Sequence, residues 1–84
     1  MNLKTTEDFR NWLMASQNLQ RRSAGDVISR RKKLLSIVSD PINIPINQLK
    51  VKLEDELAKG SFTRATLSGM VRSEKLFRKF MKLY

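Results

Sequence analysis

Arg72, Lys75, Lys79 and Lys82 recur at spacings of three, four and three near the C-terminal end of the chain. On a helix, at about 100° per residue, that spacing draws them into one longitudinal stripe with Arg64 and Arg78 beside it. The chemistry such a stripe supports is polyanion binding, because rows of ammonium and guanidinium groups neutralise phosphates and release condensed counterions. A solvated helix face can look the same. Recruitment is favoured here because the stripe lacks interleaved acids: Glu74 is the single carboxylate after Glu56.

Other chemistry has few candidates. The chain holds no histidine and no cysteine. That removes the commonest general base, the usual zinc ligands, any thiolate metal site and any disulfide. Glu54, Asp55 and Glu56 form the one acidic cluster, but three consecutive residues on a helix point in three directions. Their expected role is to neutralise basic neighbours. No glycine-rich phosphate loop, metal-ligand spacing, internal repeat or low-complexity tract is present. The expectation is a chain that is not itself an enzyme, with no metal, no cofactor and no small-molecule substrate.

Charge points the same way. The net charge of +9 over 84 residues, with a pI near 10.5, predicts attraction to polyanions, of which nucleic acid is the most abundant inside cells. A membrane surface is the rival, but a membrane-surface helix sets one apolar face against one basic face. The last helix instead has two apolar sides: Leu67, Met70, Val71, Phe77 and Met81 on one, Leu76, Phe80 and Leu83 on the other. Such a helix is wedged between neighbours. No apolar run approaches the roughly 20 residues of a membrane span. Glu7 and Asp8 precede any apolar run, unlike a secretory signal, so a cytoplasmic protein is expected. Hydrophobic residues make up 40% of the chain, enough for one packed domain over residues 1–84.

The elements that must position the stripe are four helices, all-α, expected at about 6–17, 23–38, 45–59 and 63–83. Met1 to Lys4 read as a frayed leader. Thr5 and Thr6 supply a cap, followed by acids where the helix dipole favours them. Phe9, Trp12 and Leu13 share the first helix's buried face. Trp12 reads as a core anchor, with base stacking the minority role. Leu19 plugs the end of the core. Ser23 is the expected cap of the second helix, with Asp26 completing a weak capping box. Gly25 and Gly69 are sites for close helix approach. Ala24, Val27, Ile28, Leu34, Leu35 and Val38 form the second helix's apolar arc, with Arg31 near its middle. Arg31 must either lay its stem along the core or pair with an acid such as Glu54 or Glu56. Pro41 and Pro45 break the chain between two helical hairpins, with Pro45 in the first turn of the third helix. Ile46, Leu49, Leu53 and Leu57 face the core from the third helix. Gly60 ends it, and Ser61 or Thr63 caps the last.

The run Asp8-Phe9-Arg10-Asn11-Trp12-Leu13 resembles the first helix of the N-terminal core-binding (SAM-like) domain of tyrosine recombinases, the phage integrases. Ser23-Ala24-Gly25-Asp26-Val27-Ile28-Ser29-Arg30 is similar to that domain's second helix. Thr63 to Phe80, closing on Leu76-Phe77 and Lys79-Phe80, is similar to its fourth. The resemblance spans nearly the whole chain and implies an orthogonal bundle of two crossed hairpins. In the family this unit clamps one side of a DNA duplex, with its second and fourth helices at the major groove. By position, it implies DNA contacts at Arg30, Lys32 and Lys33 and at Arg72, Lys75, Lys79 and Lys82, with Arg64 near the start of the fourth helix. It also implies DNA integration and recombination as the context, and other recombinase protomers as partners. The chain departs from the family at Arg31, where an apolar residue is usual. It also lacks the catalytic arginine–histidine–arginine–tyrosine constellation. Tyr84 reads as a helix-end core residue, not as a nucleophile. A piece of a longer recombinase is one expectation; a stand-alone small protein is the other.

The leading expectation is thus a double-stranded DNA-binding module, with any base readout from Arg30 or Arg72 at a guanine edge. The alternative is a helical protein-interaction module that offers its basic face to an acidic partner helix, with Met14 and Ile37 as exposed docking points.

Overall fold

The computed structural model describes residues 6–82. The expected leader, the Thr5 cap, Leu83 and Tyr84 lie outside them. The chain is all-α: α1 spans Thr6–Ser16, α2 Arg21–Ile37, α3 Ile46–Ala58 and α4 Arg64–Lys82, with a short 3-10 turn at Pro41–Asn43. No described helix is long and apolar enough to cross a membrane.

The connections follow from local backbone chemistry. After α1, Asn18 adopts a left-handed conformation (φ 57°), which asparagine tolerates better than most residues. The Leu19 N–H then donates to the Leu13 carbonyl at 3.2 Å. The reversal is finished by Gln20, whose carbonyl accepts from the Ala24 N–H at 2.9 Å. Helix α2 therefore restarts at Arg21, and Ser23 lies within its first turn instead of capping it.

Asp40 is likewise left-handed (φ 56°) and its carboxylate accepts from the Asn43 side chain. Pro45 stands just before α3 in an extended conformation, not in its first turn, and its carbonyl accepts from the Leu49 N–H at 2.9 Å. Gly60 ends α3 at φ +82°. The Gly60 N–H reaches the Leu57 carbonyl and the Ser61 N–H the Glu56 carbonyl, the paired bonds of a Schellman stop. Of the two candidate caps for α4, Thr63 holds the position: its Oγ1 accepts from the Thr66 N–H at 3.2 Å.

Two apolar clusters make the core. One is aromatic: Phe9, Trp12 and Leu13 of α1 meet Ala24, Val27 and Ile28 of α2 and Phe80 of α4. Phe9 lies 5.3 Å from both Phe77 and Phe80, and Trp12 lies 5.6 Å from Phe80. Pairs at such separations add about 0.5–1.5 kcal/mol each beyond area burial. Trp12 is a core anchor, and Leu19 packs at the cluster's edge. The second cluster is aliphatic: Leu34 and Val38 of α2, Leu49 and Leu53 of α3, and Leu67, Met70 and Val71 of α4. Helix α4 enters both clusters, and its contact with α2 is the most extensive between any two elements.

The outer ends of the apolar pattern depart from expectation. Leu35 is 45% exposed, because the short α1 packs on the N-terminal half of α2 and nothing continues it over Leu35. Ile37 and Met14, expected as exposed docking points, are half-buried against the clusters. Gly25 is not a close-approach site, since a Cβ there would meet open space.

Candidate nucleic-acid interface

Helix α4 divides by direction. Arg64, Ala65, Ser68, Arg72, Lys75, Lys79 and Lys82 are exposed, and the other residues of the helix are buried or half-buried. At 3.6 residues per turn the exposed set falls within an arc of about 100°. Helix α4 is thus enclosed on most of its circumference and open along one strip. Arg72, Lys75, Lys79 and Lys82 line that strip, and none of them forms an ion pair among the described residues.

The carboxylate that sequence proximity places beside this stripe is on the far side of the helix. Glu74 is completely buried. Its Oε1 accepts from Arg31 Nε at 3.2 Å and its Oε2 from Arg78 Nε at 2.8 Å. The Arg78 guanidinium also donates to the carbonyl of Pro41 at 2.6 Å and to that of Ile44. The Arg31 guanidinium lies over the Phe77 ring, 3.5 Å from its centroid, a cation–π geometry. Arg31 therefore pairs with Glu74, not with Glu54 or Glu56. Burial lowers its pKa, with Glu74 opposing the shift and Arg78 reinforcing it; an arginine stays charged regardless. Beside Glu74, Ser73 is also fully buried and donates to the Met70 carbonyl at 2.9 Å. This polar layer joins α2, α4 and the proline-bearing connection. It had two signals in the sequence: a cation inside the apolar arc of α2, and an acid, Glu74, at a helical angle shared with Leu67 and Met70.

The remaining sequence-predicted contacts separate. Arg30 crosses α4 at Gly69: a Cβ on Gly69 would stand 2.9 Å from Arg30 Nε and 3.0 Å from its Cδ. Gly69 is thus a close-approach site, and it places Arg30 one turn from Arg72. Lys33, one turn along α2 from Arg30, is exposed on the same edge. Lys32 is exposed too, but it lies about 160° around α2 from Arg30, away from the shared seam. Arg64 is engaged in a two-pronged pair with Glu54, at 2.9 and 3.0 Å. The pair holds the Glu54 carboxyl below its ordinary pKa and raises that of Arg64. The acidic cluster neutralises basic neighbours as expected, with Glu56 pairing Lys59 at 3.1 Å.

The patch that results consists of Arg72, Lys75, Lys79 and Lys82 on α4 with Arg30 of α2 laid across Gly69, and Lys33 is exposed a turn further along α2. The patch can neutralise a row of phosphates. Among the described residues no group of three or more acidic side chains is placed to hold a metal ion. No protein-family model, curated protein or solved structure matches the chain.

Proposed function

We propose that the protein is a non-catalytic module that grips double-stranded DNA through the outward edge of α4 and the adjoining edge of α2. The observation that carries this reading is the exposed strip of α4, where four cations stand without a carboxylate among them. Support comes from Arg30, which lies across Gly69 and extends the strip onto a second helix. The architecture proposed is that of a recombinase core-binding domain, two crossed hairpins that present their second and fourth helices to the major groove. Lys75, Lys79 and Lys82 act as phosphate contacts, which position without reading sequence. Arg72 and Arg30 are the candidates for base edges, because a guanidinium can bond guanine in two-pronged fashion. Integration or recombination is the proposed setting, with the chemistry supplied by a separate catalytic unit.

The test is fluorescence anisotropy on a labelled duplex over a series of salt concentrations. The three lysine contacts of α4, with Lys33 of α2 as a fourth, predict a slope of about −3 to −4 in log affinity against log salt. Absence of binding at low salt, or binding indifferent to salt, refutes the reading.

A further inference from the structure

Two grooves flank α3, and their charges differ. The groove toward α2, about 420 Å³, sets Lys52 and Lys59 against Asp55 and Glu56 on an apolar floor. The groove toward α4, about 340 Å³, is lined by Lys50, Ser68, Arg72 and Lys75 over Leu67 and Val71, and no carboxylate lines it. The one acid on that edge of α3 is Glu54, a turn beyond Lys50, and Arg64 already holds both of its oxygens. Arg64 therefore screens the groove from negative charge.

We propose that the α3–α4 groove seats a backbone phosphate of the bound duplex, with Lys50 as a DNA contact from a third helix. This rests on the DNA-binding reading above and extends its footprint beyond α2 and α4. The donors suit a phosphodiester. Lys50 and Lys75 offer ammonium protons from opposite walls and Ser68 offers a hydroxyl, while Arg72 at the rim adds positive charge and keeps its planar fork for a base edge. The apolar floor of Leu67 and Val71 offers the anion no competing acceptor, so the charged and hydroxyl donors on the walls set its position. The α2-side groove, where two lysines face two carboxylates, has no net attraction for an anion, so it supplies an internal control.

The experiment compares Lys50→Ala with Lys52→Ala in anisotropy titrations on the same duplex across a salt series. Both lysines are exposed, so circular dichroism and melting should show both variants folded like the parent. Lys50→Ala is expected to weaken binding about three- to tenfold at low salt and to flatten the salt slope by about 0.9, the signature of one lost phosphate contact. Lys52→Ala should leave the slope unchanged and weaken binding by no more than about twofold. If the two variants give the same slope while the parent binds DNA, the phosphate seat is overturned and the DNA-binding reading survives. If the parent fails to bind the duplex at low salt, both fall together.

Discussion

Helix α4 carries two populations of cation that differ in direction and not in kind. Arg78 points inward and, with Arg31 of α2, closes on the buried carboxylate of Glu74. Arg72, Lys75, Lys79 and Lys82 point outward and have no ion-pair partner among the described residues. A buried charge is tolerated only when paired and hydrogen-bonded, so the inward set must be complete or the bundle suffers. An exposed, unpaired cation stabilises nothing, and a row of them repels itself. On the DNA-binding reading proposed above, the difference separates a structural role from a recruiting one on a single helix. The inward set should govern folding with little effect on ligand binding, and the outward set the reverse.

The sharpest way to break that contrast is Glu74→Ala. It leaves two half-buried guanidiniums facing each other without an anion, which costs about 3–5 kcal/mol. At about 4–8 °C per kcal/mol for a domain of this size, the melting temperature should fall by more than about 12 °C. Replacing Arg31, Glu74 and Arg78 together with Met, Leu and Met should recover most of that loss, since buried ion networks exchange for apolar groups at little net cost, and fall short of the parent by the Arg78 bonds to the Pro41 and Ile44 carbonyls. A triple variant as damaged as the single one would show that the network, not the stranded charges, sustains the fold.

Charge reversal outside gives the next effect. Lys75→Glu with Lys79→Glu should reduce duplex affinity more than tenfold at low salt, while stability stays within about 0.5–1 kcal/mol of the parent, as for exposed positions. Anisotropy and urea denaturation on the same sample decide it. Gly69→Ala should raise stability by up to about 1 kcal/mol through helix propensity, provided the flexible Arg30 side chain shifts aside. A loss of stability in thermal melts would show that Arg30 is held rigidly across the seam.

The smallest effect belongs to Glu54→Gln. Arg64 holds the folded-state pKa of Glu54 below the ordinary value of 4.5. Its contribution is therefore present above that value and lost as pH falls through the lowered one. The variant should melt slightly lower than the parent at pH 7, with the gap closing in acid. Both groups are exposed and the gap should also shrink with salt; a gap that grows in acid would contradict the pairing.

The outward stripe was legible in the sequence because helical periodicity alone sorts it, and so were Trp12, the Gly60 stop and the four helices. The buried partner of Arg31 was not. The angle of Glu74 on α4 marks it as inward-facing, but which cation meets it, 43 residues away, depends on how α2 crosses α4. The resemblance implies Arg64 as a DNA contact near the start of the fourth helix, yet a carboxylate ten residues earlier engages it once α3 and α4 fold back on Gly60. Leu35 and Ile37 exchanged their expected exposures because periodicity records which face is apolar, not how far the covering helix extends. Lys32 and Lys33 are adjacent in sequence and both exposed, and they separate only by angle on α2, about 160° and 60° from the Arg30 that crosses α4.

An amide chemical-shift titration with a short duplex tests the central claim most directly, because it locates the contact surface as well as detecting it. Shifts should gather at Arg30, Lys33, Ser68, Arg72, Lys75, Lys79 and Lys82 and fade as salt rises. Perturbations centred on α1 or on the outer face of α3 around Val51, or a spectrum unmoved by DNA at low salt, would contradict it.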